Sequence, residues 1–327
     1  MSAPLLEVEG LRKWFPIRRG WFGRERGAVR AVDGVTFHVA AGETVACVGE
    51  SGSGKSTLGR TLLRLLEPDA GTIRVHGPES GRVRTVESAS AAELRKMRRE
   101  LQIVFQDPYA SLNPRMRVVD LVGEGLVIHG LASGAELREL VLRELERVGL
   151  DASALDRYPH AFSGGQRQRI SIARALAVSP RFVVLDEAVS ALDVSVQAQI
   201  LNLLADLRAQ LGLAYFFITH DLGIVRHFAQ RVLVLYLGRI VEEATAAELF
   251  ESPKHPYSKA LWSAIPIQRP GESRARIVLA GEPPSPANPP PGCAFHTRCP
   301  VAIARCKVEE PALRSVGAGR RVACHLE

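Results

Sequence analysis

The stretch that decides the fold is "TVACVGESGSGKST", Thr44 to Thr57. Its first half is a run of apolar residues, which predicts a short buried strand. Its second half satisfies the pattern G-x-x-x-x-G-K-[ST], and the residues from Lys55 to about Leu66 predict a helix that stops before Pro68. In such a strand–loop–helix unit the backbone N–H groups and the helix N-terminus bind phosphate. The sequence therefore predicts a nucleotide site here.

Each part of this loop has an expected role. The glycines let the backbone curl around the phosphates, Lys55 reaches the β- and γ-phosphates, and the Ser56 hydroxyl ligates Mg²⁺. The candidate phosphate-binding residues are Gly49, Glu50, Ser51, Gly52, Ser53, Gly54, Lys55, Ser56 and Thr57.

Phosphoryl transfer also needs carboxylates, and "FVVLDE" (182–187) supplies two at the end of an apolar strand. Asp186 is expected to hold Mg²⁺ through water, and Glu187 to orient or deprotonate the attacking water. His220 in "FFITHD" ends another predicted strand. Chemistry alone favours a structural role for this histidine.

Strands alternate with helices along much of the chain, which predicts an α/β fold with a largely parallel sheet. Strands are expected at 35–39, 72–75, 101–105, 182–187 and 214–220, and a strand pair at 231–243. A helix is expected at about 194–211, and a short helix between the strand at 214–220 and the strand pair. The stretch from about 108 to 161 has helical periodicity and is interpreted as an insertion. The segment "GEPPSPANPPPG" (281–292) is expected to be a stiff, extended connector.

Net charge and the distribution of aromatic and apolar residues limit the kinds of ligand and partner that are expected. The net charge of +7 suits an anionic ligand or a membrane surface, but it equally suits an ordinary soluble surface. No basic stretch carries the spaced aromatic residues typical of nucleic-acid binding. The sequence has no apolar run of about 18 residues and no N-terminal apolar signal segment, so a cytosolic location is expected.

The segment "FSGGQRQRI" (162–170) predicts a helix start, with Ser163 and Gln166 forming a capping box. Gly164 and Gly165 are unexpected there, because each glycine costs a helix about 1 kcal/mol relative to alanine. Some group is therefore expected to approach this helix end closely.

Together these motifs resemble the ATPase subunit of an ATP-binding cassette (ABC) transporter over residues 5–250. The resemblance implies a P-loop NTPase core with ATP and Mg²⁺ as ligands. It also implies that Gln106 contacts nucleotide and Mg²⁺, that Glu187 is catalytic, and that His220 is the switch histidine that contacts the γ-phosphate. Asp193 in "SALD" belongs to the loop that communicates across the dimer, and Phe15, with Trp14 as the alternative, stacks on adenine.

In that family two subunits pack head to tail, and the signature motif of each faces the nucleotide of the other. Ser163, Gly164, Gly165 and Gln166 match this motif. The resemblance implies that the two glycines permit backbone contact with the γ-phosphate held by the partner.

The segments "FQDPYASLNPRM", "HPYSKAL" and "GEPPSPANPPPGCAFHTRCP" resemble the dipeptide/oligopeptide importer ATPases, a group that also imports nickel and glutathione. This implies an ATPase domain over 1–250, with a helical subdomain at about 107–162, and a C-terminal extension over 251–327. The implied partners are a second ATPase subunit, identical or paralogous, two membrane permeases and, indirectly, an extracytoplasmic binding protein. The implied location is the cytoplasmic face of the membrane.

Four of the five cysteines crowd this extension: Cys293, Cys299, Cys306 and Cys324. Their spacing is not that of a common zinc knuckle, and structural disulfides are not expected in a reducing compartment. Four thiolates can hold an iron–sulfur cluster, and some members of the resembled group carry a [4Fe–4S] cluster on such a tail. Zinc and redox-active thiols remain alternatives, with His296 and His325 as possible substitute ligands.

Two other classes of protein stay open. A soluble ABC ATPase of translation or DNA repair usually has two cassettes or inserted modules, which this sequence lacks. A non-hydrolysing module is expected to lose Glu187, His220 or the signature motif, and all three are present.

Overall fold

The structure is a computed structural model that describes residues 4–19, 24–77, 83–265, 276–317 and 319–327. The chain divides into two compact units. Unit 1 comprises Met1–Leu5, Val39–Glu43 and Ser88–Ile218, and unit 2 comprises Leu6–His38, Thr44–Glu87 and Thr219–Glu327.

The strands, in chain order, are Pro4–Arg19 (β1), Arg24–Ala40 (β2), Thr44–Val48 (β3), Ala70–His76 (β4), Val83–Thr85 (β5), Leu101–Val104 (β6), Phe182–Asp186 (β7), Ala214–Ile218 (β8), Arg231–Tyr236 (β9), Arg239–Thr245 (β10), Arg314–Gly317 (β11) and Arg320–Val322 (β12). The helices are Lys55–Leu62 (α1), Ala91–Glu100 (α2), Pro108–Ser111 (α3), Val118–Ile128 (α4), Gly134–Arg147 (α5), Gly164–Leu176 (α6), Val194–Leu211 (α7), Leu222–Phe228 (α8), Ala246–Glu251 (α9) and Pro256–Ser263 (α10).

Unit 1 is built on the parallel strands β6, β7 and β8, with β7 in the middle. Every residue of β7 and β8 is buried, which is why both strands read as continuous apolar runs rather than alternating ones. Helices α3, α4 and α5 occupy the stretch from 108 to 147, where the sequence predicted a helical insertion. The helix α7 has the bounds that the periodicity predicted, and Gly212 ends it in the left-handed conformation.

Unit 2 is more antiparallel than the sequence predicted. Its strands β3 and β9 are parallel, but β9–β10, β10–β12 and β12–β11 are antiparallel pairs. A second sheet has the order β2–β1–β4–β5, with antiparallel pairs β1–β4 and β4–β5. The strands β1 and β11–β12 and the helix α2 were not predicted. The helix α1 ends at Leu62, short of the predicted Leu66, because Arg64 adopts a φ of 50° and its N–H turns back to the Thr61 carbonyl.

The C-terminal segment belongs to the same unit as the phosphate loop. The strand β12 pairs with β10, and the N–H of Arg30 donates a hydrogen bond to the carbonyl of Pro286 at 3.1 Å. The proline-rich segment predicted as a connector therefore packs against the N-terminal part of unit 2.

Candidate active site

The phosphate loop of unit 2 has a preorganised lysine. Lys55 is only 5% exposed, and its Nζ donates to the carbonyls of Gly49 and Glu50, each at 2.8 Å, and to the Ser53 hydroxyl at 3.4 Å. The helix α1 starts directly after Gly54 and, as far as the described residues show, without a side-chain cap. Its first N–H groups therefore point at the space where phosphate oxygens would bind.

Two glycines of the loop, Gly49 and Gly54, are required because backbone atoms of other strands lie close to them. A Cβ at Gly49 would lie 2.2 Å from the Leu235 carbonyl oxygen, and a Cβ at Gly54 would lie 1.9 Å from the Ala31 carbonyl oxygen. Both residues also have positive φ, 156° and 103°. Any side chain at either position would displace the loop from β9 or from β2.

In unit 1 the two carboxylates follow the middle strand. Asp186 is 2% exposed at the end of β7, and Glu187 follows with a φ of 50°. This left-handed conformation costs a non-glycine residue about 1–3 kcal/mol. It is maintained by Glu187 N–H to Ile218 O at 3.0 Å, and by two hydrogen bonds from Ser190, one from N–H (3.1 Å) and one from the hydroxyl (2.9 Å), to the Glu187 carbonyl. Strain held in place by several contacts is typical of functional residues.

The structure brings Gln106 and Glu187 together, although they are 81 residues apart in sequence. Gln106 Nε2 donates to Glu187 Oε2 at 3.1 Å. This contact fixes the orientation of the Glu187 carboxylate, which the sequence analysis predicts to be the general base. Gln106 directly precedes Asp107, whose side chain caps the short helix α3.

The start of α6 has the predicted capping box. The N–H of Ser163 donates to Gln166 Oε1 at 3.0 Å, and the N–H of Gln166 donates to Ser163 Oγ at 3.4 Å. A Cβ at Gly165 would lie 2.5 Å from Val196 Cγ1, on α7 of the same chain. Packing inside unit 1 therefore accounts for Gly165 by itself, which the sequence interpretation did not foresee. At Gly164 a Cβ would meet only Leu192 Cδ2, at 3.6 Å, an ordinary contact. No contact among the described residues therefore requires a glycine at position 164, and the approach of a partner's phosphate stays a prediction.

Sequence reasoning missed Arg167, which directly follows the motif. Its Nε donates to the Pro159 carbonyl at 2.6 Å and its Nη2 to the His160 carbonyl at 3.2 Å. Its guanidinium lies 3.7 Å from the ring centroid of Tyr109 on α3. Arg167 therefore connects the motif to the segment that follows Gln106. Its position directly after "SGGQ" was the one available signal.

The remaining predicted residues lie near element ends. Phe15 on β1 is 37% exposed, with Lys13 Nζ 5.4 Å from its ring centroid. The neighbouring Trp14 is covered by Arg30, 4.9 Å from its ring, which favours Phe15 as the stacking residue. His220 is exposed just past β8, and the exposed Asp193 is the N-cap residue of α7.

All five cysteines lie in the described part of the chain, and none is in a disulfide. Burial raises the pKa of Cys293 to about 11, with smaller contributions to that value from the neighbouring thiols of Cys306, Cys299 and Cys324. The four tail thiols are thus grouped. However, within the described ranges no three or more His, Cys, Asp or Glu side chains are arranged to hold a metal ion. The iron–sulfur prediction therefore has no support from the geometry.

The two predicted substitute ligands are engaged elsewhere. A ring nitrogen of His296 lies 2.8 Å from the Cys293 carbonyl, and one of His325 lies 2.9 Å from the Glu309 carbonyl.

Comparison with known proteins agrees with this geometry. The sequence profile of the family described as "ABC transporter" matches residues 32–190, and that described as "Oligopeptide/dipeptide transporter, C-terminal region" matches residues 241–306. A probable peptide ABC transporter ATP-binding protein, y4tS of Sinorhizobium fredii, is 51% identical over 100% of this chain and 91% of its own length. The chain belongs to the ABC transporter ATPases.

A second relative and a solved structure lead to the same family assignment. The oligopeptide transport ATP-binding protein AppF of Bacillus subtilis is 50% identical over 98% of this chain and 97% of its own. Among solved structures, the ATP-binding cassette MJ0796, dimeric and bound to ADP and Pi, is 29% identical with a TM-score of 0.63, covering 74% of this chain and 98% of its own. The predicted fold class, an ABC-type P-loop NTPase, is confirmed.

Family membership implies ATP and Mg²⁺, and the donors present suit Mg²⁺. Asp186 offers a buried carboxylate at a strand end, and Ser56 a hydroxyl in the first turn of α1. Hard oxygen donors of this kind are the ligands that Mg²⁺ prefers. When bound, the ion supplies neutralisation of the charge on the β- and γ-phosphates. Lys55, in the phosphate loop of unit 2, would contribute further positive charge toward the phosphates.

Proposed function

We propose that this ABC ATPase hydrolyses ATP to drive the import of di- or oligopeptides. The observation that carries the proposal is the full-length likeness to peptide transport ATPases, which includes the C-terminal region at 241–306. The intact Lys55 network and the Gln106–Glu187 contact support hydrolysis rather than binding alone.

In this proposal Lys55 and the loop N–H groups hold the β- and γ-phosphates. Glu187, oriented by Gln106, accepts a proton from the attacking water, and His220 contacts the γ-phosphate. Phe15 stacks on adenine. Two ATPase subunits form a dimer around ATP, in which Ser163 and Gly164 of one face the phosphate of the other, and Asp193 lies at the contact between them.

The partners we propose are a second ATPase subunit, two membrane permeases and, indirectly, an extracytoplasmic binding protein. The chain would then be peripheral, on the cytoplasmic side. None of the helices in the described ranges is long and apolar enough to cross a bilayer.

The test is isolation of the intact complex from membranes through a tag on this chain. We expect two permeases to copurify, and the ATPase rate of the complex in vesicles to rise when binding protein and a di- or oligopeptide are added. Nickel and glutathione are parallel arms, and stimulation by either one alone would replace the peptide assignment. Copurification of ribosomes or DNA without permeases would contradict the proposal.

We also propose that the four tail thiols hold a metal cluster, on the ground that Cys306 lies close enough to Cys293, Cys299 and Cys324 to contribute to their raised pKa values. Iron and sulfide analysis of anaerobically purified protein checks this. A colourless protein without iron contradicts the cluster, and stoichiometric zinc would identify the alternative.

A further inference from the structure

The second residue of the phosphate loop, Glu50, is held on three sides. Its carbonyl accepts from Lys55 Nζ at 2.8 Å. Its N–H donates to the hydroxyl oxygen of Tyr257 at 2.8 Å. Its carboxylate accepts from Arg298, with Nη1 at 2.8 Å and Nη2 at 3.1 Å. Two of these three contacts come from the C-terminal segment, beyond residue 251.

The Arg298–Glu50 ion pair has a fixed geometry and is largely shielded from solvent. The Arg298 side chain is 7% exposed and that of Glu50 is 28% exposed. The paired guanidinium and carboxylate form two parallel hydrogen bonds, which fix direction as well as distance. The hydrogen bonds to Glu50 raise the pKa of Arg298, so the guanidinium stays charged.

The surroundings of this pair are aromatic. The ring centroid of Phe295 lies 5.3 Å from that of Tyr236 and 5.4 Å from that of Tyr257. Tyr236, at the end of β9, also lines a cavity of about 450 Å³ with residues 50–53 and 282–286. The C-terminal segment therefore borders the phosphate loop directly and holds Arg298 in one orientation.

We propose that Arg298 is a positioning residue for ATP: it holds Glu50, and through Glu50 the phosphate loop and Lys55, so that tight ATP binding requires the C-terminal segment. The pair acts in two ways. It fixes the carbonyl that orients Lys55, and it neutralises a carboxylate that would otherwise repel the triphosphate. The inference rests on the proposed ATPase function.

The experiment compares KM for ATP and kcat of the full-length protein with those of Arg298→Gln, Glu50→Gln, the double variant and Arg298→Lys. We expect Arg298→Gln to raise KM about tenfold, equivalent to about 1.4 kcal/mol, with a smaller change in kcat. The double variant should recover part of the affinity, because it removes the unpaired carboxylate but does not restore the contact that fixes the loop. Arg298→Lys should recover part, since it restores the charge without the paired geometry.

The matched control is Arg138→Gln. Arg138, on α5 in unit 1, also binds a carboxylate, that of Asp156, through both terminal nitrogens, but this pair is about half exposed. Its KM and kcat should equal those of the wild type. Melting temperatures measured in parallel separate misfolding from loss of positioning.

The outcomes are distinct. An inactive wild-type protein contradicts the proposed function. With an active wild type, a KM for Arg298→Gln within twofold of normal overturns the inference, as does a double variant no better than Arg298→Gln. If Arg298→Gln does not fold, Tyr257→Phe decides: it keeps the ring but removes the acceptor of the Glu50 N–H. We expect it to raise KM about threefold, and an unchanged KM overturns the inference.

Discussion

The neighbouring glycines at the start of α6 allow a matched substitution, because alanine meets different surroundings at each. At Gly165 the new methyl would lie 2.5 Å from Val196 Cγ1, and at Gly164 it would lie 3.6 Å from Leu192 Cδ2. Overpacking costs about 1–3 kcal/mol, and replacing a helical glycine by alanine returns at most about 1 kcal/mol. We therefore expect Gly165→Ala to lower the free energy of unfolding by about 1 kcal/mol and Gly164→Ala to raise it by up to about 1 kcal/mol. Val196 cannot easily turn away, since a β-branched side chain has one strongly preferred rotamer in a helix.

Urea denaturation of the isolated protein, monitored by circular dichroism, measures this difference of about 2 kcal/mol. The control is a double-mutant cycle with Val196→Ala, which removes the Cγ1 methyl that the new alanine would meet. In the Val196→Ala background, Gly165→Ala should lower the free energy of unfolding less than it does in the wild type. Equal stability of the two single alanine variants would refute the packing argument. Activity then separates the two roles: we expect Gly164→Ala to be well folded and yet to hydrolyse ATP slowly, because its methyl enters the space proposed for the partner's γ-phosphate.

The other predictions concern the carboxylate site and a buried histidine. Glu187→Gln should bind ATP with normal affinity, turn over at least a hundredfold more slowly and accumulate as a dimer in gel filtration with ATP; an undiminished ATPase rate would exclude Glu187 as the base. Burial lowers the pKa of His255 to about 3, whereas an unfolded histidine has a pKa near 6.5. The unfolded chain therefore binds one more proton than the folded chain between these values, and stability should fall as the pH is lowered through this window. Urea denaturation at pH 7.5 and pH 5 should show a smaller difference for His255→Gln than for the wild type, and an equal difference would contradict this assignment.

The residues that sequence predicted well are those whose partners are close in sequence or whose motif has a fixed backbone geometry. The capping box at the start of α6 was predicted because Ser163 and its partner Gln166 are three positions apart. The helix α7 was located because its apolar period and the following Gly212 lie on a single continuous segment.

The features that the sequence did not predict depend on contacts between segments that are far apart in the chain. The antiparallel pairing of β1 with β4 depends on register between segments about 60–70 residues apart, and Gly165 depends on a helix packed beside it. No local pattern records either contact. The iron–sulfur cluster stays a prediction for a related reason, since four cysteines near one another in sequence do not establish the ligand geometry that a cluster needs.

Glu50 shows why a complete motif is not a complete site. The pattern G-x-x-x-x-G-K-[ST] leaves its second position open, so any residue there satisfies the search. In this chain that position holds an acid, which by itself weakens phosphate binding, and the compensating cation lies 248 residues away. The acid is tolerated because Arg298 neutralises it, and Arg298 is held where it is by the C-terminal segment of the same unit. We therefore expect the two positions to change together: relatives without a basic residue at the position of Arg298 should lack an acid at that of Glu50. Relatives that keep the acid and lose the base, yet bind ATP as tightly, would show that the pair is only a structural contact.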